Sequence, residues 1–533
     1  MKNIWISIYL IVLFGSGVYT QGIIRIVEPS APRSWDPITE YSDPVSLRIS
    51  SLLYQNLYDE DSKGNLTGLI NHTSVENGKL SVQLRPGLKW ADRGKYLGAV
   101  GARDVAETVK FLKSPRIPGS SLQINAEKII GSPEIISPLQ LKFKFSCSRF
   151  EQSYKSILNL KIIPYYKIEN GYITQQSDIY NWPCGSGAFD LNTATTSVQK
   201  VFTRSENYRI LYPFAQSNIS TILIDIFPAP DPMMASFLKG SVDLVPVIPD
   251  LDYIDDRTNN KDVNRIQYVD YSYYFIGFNQ ANNHNALKQR DIRRAMLYGY
   301  NRGAITSGHL RNLAHPIYGP YNQNTPYYRR TALEERDVQK MLIPYDTNLA
   351  KRMLDIMGYT MFRNGIRYNA AGEGLIFNIF CLESVSSEII DNFKLDMNRI
   401  GISISVIRVN RNDLNERVYE RRDYDLVYDE MFVDRTLDIS GKFHSRYIGR
   451  PNGNFLNFSN PEIDRLLDSY TCEDNVDEKA RIGHDLNMRI SQECPMLFLW
   501  ATEKFTCYKR SLRNVGATLN PFNFYKEIYE WIK

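Results

Sequence analysis

The chain has 533 residues, of which 43% are hydrophobic and 23% are charged. This length predicts about three domains, and this composition excludes a wholly disordered chain. Lysine and arginine number 63 and aspartate and glutamate 59, which gives a formal net charge of +4. Because this excess is small and no long basic run is present, we expect no nucleic-acid partner.

The N-terminal residues predict an export signal. Lys2 is the only charge, an apolar run extends from Ile4 to Phe14, and a stretch of small residues follows. This three-part plan is typical of a secretory signal peptide, and the run is shorter than the roughly 18–20 residues of a membrane span. We therefore predict a signal peptide over residues 1–21 and a periplasmic or extracytoplasmic location. An uncleaved N-terminal anchor is the alternative.

The first clear elements follow one another between residues 80 and 113. Apolar and polar residues alternate in LSVQL (80–84), which predicts a half-buried strand. Pro86 and Gly87 predict a turn. The segment 101–113 predicts a helix, because its apolar residues fall on one face.

Two later segments predict helices, and one predicts a strand. QRDIRRAMLYGYNRGAI (289–305) has helical apolar spacing, with Asp291 as the expected N-cap. Residues 387–400 predict a helix that ends at Gly401, and ISISVIRV (402–409) alternates like a strand. Because strand-like and helix-like segments alternate along most of the chain, the sequence predicts an α/β fold.

Motifs for catalysis or metal binding are absent. The sequence contains no HExxH, GxSxG or GxxxxGK[ST] motif, and no two of its six histidines are four residues apart. Its six cysteines form no CxxC pair and allow 15 pairings, of which sequence selects none. In an exported chain we expect one or two disulfides. We predict neither an enzyme nor a cofactor nor a metal site.

Several segments, in order along the chain, resemble one protein family. The clearest is LRPGLKWADRGKYLGAVGARDVAETVKFLK (84–113), which is similar to a family pattern written LRpgvkFhdGeplTAeDVvfsl. Further matches are SWDPITEY (34–41), LLYQNLYDEDSKGNL (52–66), PCGSGAFDL (183–191), FPAPDPMMASFLKGSVDLV (227–245), FIGFNQ (275–280), the segment 289–305, YDLVYDEMFVD (424–434) and NFSNPEIDRLLD (457–468). In this order and spacing they identify the chain as a member of the extracellular solute-binding proteins, family 5, which are the oligopeptide, dipeptide and nickel receptors of ABC importers.

The resemblance implies a type II periplasmic-binding-protein fold with two α/β lobes joined by a two-strand hinge. Lobe one would comprise residues 22–275, with a subdomain inserted at about 58–180, and would be completed by residues 500–533. Lobe two would comprise residues 276–499. FIGFN (275–279) and LFLWAT (497–502) are the candidate hinge strands.

The resemblance also implies that the chain binds a peptide between its lobes and delivers it to an ABC permease, as a monomer. An aspartate after the strand 424–431 would bind the peptide's ammonium group, and Asp434 occupies that position. A solvated loop acid is the alternative. Glu430 and Met431 replace a glycine and a tryptophan of the family pattern, and Asp438 replaces a proline, so Glu430 or Asp438 could take over the ammonium group.

Other ligand-binding candidates are less specific. Tyr41, Ser42 and Asp43 correspond to the loop that pairs with the ligand backbone in peptide-binding members. Tyr274, Tyr428 and Met431 would line the cleft, although core packing explains the two tyrosines equally well. His444 is a further candidate, and Arg363, Arg367 and Arg408 are open alternatives for a ligand carboxylate.

Other functions remain open on the same fold. An oligosaccharide receptor would use the 35 tyrosines for ring stacking, and a nickel-chelate receptor would need arginine and histidine in the cleft. A sensor or adhesin without a permease is a third alternative, because the sequence has no cysteine for lipid attachment after its leader. We expect no hydrolase, because no nucleophile motif is present.

Overall fold

The structure is a computed structural model of the chain. The residues that it describes are 22–38, 43–61, 63–114, 121–147, 150–168, 178–248, 251–269, 271–281, 285–325, 327, 344–433, 437–451, 453–473, 475–515 and 524–533. The predicted signal peptide, residues 1–21, lies outside the described residues.

Strands and helices alternate through the chain, as predicted. The strands are β1 (Gly22–Glu28), β2 (Ile70–Glu76), β3 (Lys79–Leu84), β4 (Lys89–Asp92), β5 (Lys95–Ala99), β6 (Glu134–Ser137), β7 (Gln140–Phe143), β8 (Cys184–Gly185), β9 (Phe189–Leu191), β10 (Gln199–Arg204), β11 (Ile219–Ile226), β12 (Leu244–Val245), β13 (Val263–Val269), β14 (Tyr273–Phe278), β15 (Ala314–Pro316), β16 (Met361–Arg363), β17 (Ile366–Tyr368), β18 (Ile376–Leu382), β19 (Ser403–Val409), β20 (Leu426–Met431) and β21 (Met496–Lys509).

The α-helices are α1 (Pro44–Leu53), α2 (Ala102–Leu112), α3 (Ser121–Glu127), α4 (Phe150–Ile157), α5 (Asp178–Asn181), α6 (Tyr208–Leu211), α7 (Pro230–Leu238), α8 (Asn285–Lys288), α9 (Arg290–Gly299), α10 (Arg302–Ala304), α11 (Thr347–Ile356), α12 (Ser387–Arg399), α13 (Arg411–Leu414), α14 (Ser440–Phe443), α15 (Pro461–Thr471) and α16 (Val476–Glu493). Shorter 3-10 turns are Tyr165–Lys167, Leu251–Tyr253, Asp256–Thr258, Ser445–Tyr447 and Ile528–Glu530, and π-helical turns are Ile305–His309 and Asn415–Glu420.

One large sheet runs through the molecule in the order β19-β18-β20-β14-β21-β12-β1-β11-β10-β9. Two more strands, β13 and β15, pair with β21 beside this path. The sheet is mixed, because β1 is parallel to β11 and β18 is parallel to β19, whereas β14 is antiparallel to β20 and β21.

The buried apolar side chains divide the molecule into two lobes. The first lobe, residues 22–269 and 503–533, has its main core around β1, α1, the helices α2 to α4 and the C-terminal segment. A four-stranded sheet β2-β3-β7-β6 and a three-stranded sheet β5-β4-β8 pack into the same core. The second lobe, residues 271–502, has a core on each face of its part of the large sheet.

Alternating side chains of β21 supply the two cores of the second lobe. Met496 and Phe498 belong to one core, and Leu497 and Leu499 belong to the other. This period-2 pattern is the expected consequence of strand geometry when both faces of a sheet are covered.

The chain crosses between the lobes on adjacent antiparallel strands. β13 pairs with the second half of β21, from Val269 opposite Glu503 to Val263 opposite Lys509. β14 pairs with the first half, with Tyr274 opposite Trp500. Residues 275 and 499, the predicted boundaries, lie within β14 and β21.

Several local predictions are confirmed, and one is wrong. α2 buries the predicted face of 101–113, and α12 is followed by Gly401 at φ +86°, the left-handed conformation that favours glycine. The predicted helix 289–305 ends as α9 at Gly299. Its N-cap is Gln289, so the prediction of Asp291 as the cap is wrong, and Asp291 lies in the first turn.

The lobes also contact each other away from the crossing strands. Cys147 of the first lobe forms a disulfide with Cys472 of the second, across 325 residues of sequence. Glu127 accepts hydrogen bonds from the Tyr447 hydroxyl at 2.9 Å and from Arg450 Nη1 at 2.8 Å. We call this region, which also includes Lys128, His444, Arg446, Asp464 and Asp468, the interlobe contact.

A buried ion pair anchors the first lobe. The Glu28 carboxylate, at the end of β1, accepts hydrogen bonds from Arg48 Nε at 2.9 Å and from Arg48 Nη2 at 2.6 Å. It also accepts a hydrogen bond from the Tyr525 hydroxyl at 2.7 Å. All three side chains are buried. The carboxylate thereby holds β1, α1 and the C-terminal segment together.

We predict that Glu28→Ala lowers the free energy of unfolding by about 3–5 kcal/mol, because it leaves the Arg48 guanidinium buried without its counter-charge. Urea unfolding followed by tryptophan fluorescence would measure the loss. The control is Glu134→Ala, which breaks an exposed pair with Lys79 and should barely move the midpoint. Equal midpoints for the two variants would contradict the prediction.

We also predict a specific acid dependence for Asp468. Its hydrogen bond with His444, together with the charges of Arg446 and Lys128, lowers the pKa of Asp468 from 3.8 to about 2. A depressed pKa means that the carboxylate stabilises the folded state fully above pH 3.8, and that this contribution is lost as the pH falls towards 2.

Asp468→Asn removes this contribution at every pH. The stability difference between the wild type and Asp468→Asn should therefore shrink as the pH falls from about 4 to about 2. Urea unfolding at a series of pH values measures it. Asp423→Asn is the control, because that carboxylate is 76% exposed and 3.9 Å from Arg417. A difference for Asp468→Asn that stays constant down to pH 2 would refute the assignment.

Candidate functional site

The central strand of the second lobe leads to the predicted anchor. β20 lies between β18 and β14, and its last residue, Met431, pairs with Tyr273 at the start of β14. Because β14 begins directly after the lobe crossing, the chain that follows Met431 leaves the sheet at the junction of the lobes. Asp434 itself lies outside the described residues.

The predicted ligand loop of the first lobe is described only at its end. Tyr41 and Ser42 lie outside the described residues, and Asp43 is the N-cap of α1. The Asp43 carboxylate accepts the backbone N–H of Ser46 at 3.0 Å. This bond satisfies one of the free N–H groups in the first turn of α1. Asp43 thus fixes the point at which the loop enters the helix.

Two predicted aromatic candidates stack on each other beside the crossing. The rings of Tyr274 and Tyr428 have centroids 5.8 Å apart, and Trp500 is 6.4 Å from Tyr274. Tyr428 is only 2% exposed, and its burial raises the pKa of its hydroxyl well above the ordinary value. Tyr428 therefore packs in a core of the second lobe, whereas Tyr274 is half-buried and reaches the surface.

The side chains of Met431 and Tyr428 lie on opposite faces of β20. Its side chain is 5% exposed and belongs to the core that contains Phe498 and Val433. The methionine at this position thus packs inside the second lobe, at the end of the strand that leads to Asp434.

The other acids near the end of β20 already have protein partners. Glu430 accepts Lys504 Nζ at 3.0 Å, so a lysine of β21 neutralises it. Asp438 accepts the backbone N–H of Ser440 at 2.8 Å and the Thr471 hydroxyl at 3.2 Å. Both carboxylates are therefore engaged in holding the structure.

The second acid within β20, Asp429, was not predicted from the sequence. Asp429 is buried and accepts Arg411 Nη1 at 2.7 Å and Nη2 at 3.0 Å, and the Tyr419 hydroxyl at 2.7 Å. A charged residue within an otherwise apolar strand signals such a partner, because a buried carboxylate without one is very unfavourable. The sequence alone does not identify the arginine.

His444 lies in the interlobe contact. The residue is buried, with Nδ1 3.2 Å from Asp464 and Nε2 3.5 Å from Asp468. Arg446 also contacts the ring, through Nε at 3.1 Å from Nε2. Both ring nitrogens of His444 thus have partners within the protein.

The three arginines considered for a ligand carboxylate have local partners. Arg367 is buried and donates to the carbonyls of Ile400 and Tyr359. Arg408 donates to the Val385 carbonyl at 2.7 Å. Arg363 stacks over the ring of Tyr368 at 5.0 Å. These contacts hold the second lobe together and single out none of the three as a ligand contact.

No cluster of three or more histidine, cysteine, aspartate or glutamate side chains suited to a metal ion occurs within the described ranges. In the same part of the chain, no helix combines the length and apolar character that a bilayer crossing requires.

The chain is similar in sequence to curated proteins and in structure to solved proteins. "Probable D,D-dipeptide-binding periplasmic protein DdpA" of Escherichia coli (strain K12) is 21% identical over 372 residues, which cover 69% of this chain and 65% of that protein. The oligopeptide-binding protein AppA of Bacillus subtilis, in complex with a nonapeptide, matches with a TM-score of 0.78 at 20% identity, covering 96% of this chain and 98% of AppA.

A nickel-binding protein has a nearly equal TM-score. NikZ of Campylobacter jejuni, in complex with Ni(L-His), has a TM-score of 0.76 at 18% identity, covering 96% of this chain and all of NikZ. These structural matches confirm the predicted type II periplasmic-binding-protein fold.

The family itself follows from the sequence model described as "Bacterial extracellular solute-binding proteins, family 5 Middle", which matches residues 68–453. Proteins of this family are extracytoplasmic substrate-binding receptors that work with ABC importers, not a class of enzymes. The chain belongs to the extracellular solute-binding proteins, family 5.

Proposed function

We propose that this protein is an exported receptor that binds peptides between its two lobes and delivers them to an ABC permease. The peptide pairs through its backbone with the loop at Tyr41, Ser42 and Asp43, and its ammonium group binds Asp434. Residues 1–21 act as the export signal. The receptor works as a monomer and without a cofactor.

The observation that carries this proposal is the distribution of acids around the lobe junction. Glu430 and Asp438 flank Asp434 in sequence, and each has a partner within the protein. A peptide's ammonium group needs an acid that is not already neutralised. Asp434, three residues beyond the end of β20, is the acid that we assign to it.

The crossing strands support a closing movement. β13 and β14 lie side by side with β21, so a small change of backbone angles near Val269 and Glu503 would rotate one lobe against the other. Closure would exclude water from the peptide, which strengthens the polar contacts to it. Backbone pairing binds peptides without reading their side chains, so we expect broad selectivity.

The proposal favours peptides over the nickel chelate bound by NikZ. AppA, with a TM-score of 0.78, binds a nonapeptide. Half-exposed Tyr274 is the aromatic residue that we expect to contact the ligand, since Tyr428 is enclosed in the core.

The test is the thermal stability of ligand-stripped protein, refolded from urea, with tri-alanine and with N-acetyl-tri-alanine. A ligand at 100 times its dissociation constant adds about 2.7 kcal/mol of stability. We expect tri-alanine to raise the melting temperature and the acetylated peptide, which lacks the ammonium group, to have no effect. Nickel–histidine and an oligosaccharide pool are the competing ligands, and a shift with one of these alone would contradict peptide binding.

Two variants on neighbouring positions locate the anchor. Asp434→Asn should weaken tri-alanine binding at least about tenfold, because it removes a charge-assisted hydrogen bond worth about 1.5–3 kcal/mol. Glu430→Gln is the matched control and should change the affinity less than about twofold, since Lys504 already pairs with Glu430. Isothermal titration measures both. If Glu430→Gln alone abolishes binding, the anchor is Glu430 and our assignment is wrong.

A further inference from the structure

The Cys147–Cys472 disulfide joins the two lobes rather than bracing one of them. Cys147 follows the strand-like bridge at Phe145 in the first lobe, and Cys472 follows α15 in the second. Their Cα atoms are 5.3 Å apart. Within the described part of the chain, the backbone itself connects the lobes at β13–β14 and along β21. The disulfide is a further covalent connection at a different place.

Partly buried polar contacts also join the lobes in the interlobe contact. Glu127 pairs with Arg450, with side chains 21% and 25% exposed, and Lys128 is 3.5 Å from Asp468. Pairs that remain accessible to water contribute little and weaken with salt. These contacts orient the lobes, but the covalent bond is what fixes their separation here, because it keeps two Cα atoms within about 7 Å.

Cys472 of the disulfide is the least buried of the six cysteines. Cys472 is half-buried, whereas the free thiols of Cys184, Cys381, Cys494 and Cys507 are buried. Burial raises the pKa of all four free thiols, which keeps them protonated and unreactive. Thiol–disulfide exchange is therefore directed to one site.

We propose that the Cys147–Cys472 disulfide is a redox-controlled clasp that limits how far the two lobes separate. When it is formed, the lobes can move only around two fixed places, the crossing strands and the disulfide. When it is reduced, this covalent limit is removed and the non-covalent contacts between the lobes remain. Given the peptide binding proposed above, the clasp also slows the exchange of bound peptide.

The reductant is an extracytoplasmic dithiol, and the reaction is a two-electron exchange. A thiolate of the dithiol attacks Sγ of half-buried Cys472, which forms a mixed disulfide and releases Cys147 as a thiolate. The second thiol of the reductant then attacks its own sulfur in the mixed disulfide and releases Cys472. The protein gains two electrons and two protons, and the dithiol becomes a disulfide.

The experiment compares oxidised and dithiothreitol-reduced wild type with Cys147→Ser/Cys472→Ser. Thiol titration of the unfolded proteins should count four thiols in the oxidised wild type, since six cysteines less one disulfide leave four, and six after reduction. Small-angle scattering should give a larger radius of gyration for reduced wild type without ligand and for the double variant. Dithiothreitol should not change the double variant, which is the matched control.

Peptide exchange provides the second measurement. Stopped-flow dissociation of tri-alanine should be at least about threefold faster from the reduced protein than from the oxidised one, because changes in affinity fall mainly on the dissociation rate. If the double variant does not fold, the comparison is made between the oxidised and the reduced wild type.

The two proposals fail in different ways. Six thiols in the protein purified from an oxidising compartment, or an unchanged radius of gyration after full reduction, would overturn the clasp whether or not peptide binds. A larger radius with no binding of tri-alanine would support the clasp as a limit on lobe motion and would count against the peptide function. A larger radius with an unchanged dissociation rate would overturn its role in peptide exchange.

Discussion

The antiparallel pairing of β21 with β13 and β14 is the constraint on which the rest of the structure depends. This one strand carries residues of both cores of the second lobe in its first half and completes the sheet of the first lobe in its second half. A shift of register by one residue would move Phe498 and Leu499 into each other's cores and disrupt the packing of both. The relative position of the lobes is therefore set by backbone hydrogen bonds, while rotation about the crossing remains possible.

The same pairing determines the chemistry beside the proposed site. Glu503 of β21 bonds with Gln267 of β13 and with His315 of β15, and Lys504 reaches across to Glu430. Each of these partners is brought close by strand register rather than by neighbouring sequence. The crossing thus supplies hydrogen-bond partners to Glu503 and a cationic partner to Glu430. Because Lys504 already pairs with Glu430, we propose ligand recognition at Asp434 and not at Glu430.

Local patterns predicted the elements well, because apolar periodicity and glycine conformations are local properties. The face of α2 and the stop at Gly401 follow directly from them, and a side chain at Gly401 would also meet Arg367 at 2.6 Å. The end of α9 could not be predicted in this way. Apolar spacing continues to residue 305, but Asn301 caps a new turn by accepting the N–H of Ala304, which competes with continuation of the helix.

Contacts between residues that are distant in the sequence could not be predicted from it. Six cysteines allow 15 pairings, and nothing near Cys147 or Cys472 indicates that they meet. The resemblance led to the right fold and family, yet it could not show that Tyr428 faces a core or that His444 lies among interlobe ion pairs. Those placements depend on how two lobes pack, which periodicity does not encode.

The interlobe disulfide has two physical effects that must be kept apart. In the unfolded chain it closes a loop of 325 residues, which on the chain-entropy model stabilises the folded state by roughly 5–6 kcal/mol. In the folded protein it restricts the separation of two lobes that β21 already joins. A fall in melting temperature on reduction reports only the first effect, since that effect would arise wherever the bond lay in the fold. Only the dimensions and the exchange rates of the folded protein report the second, and a bond within one lobe would change neither of them.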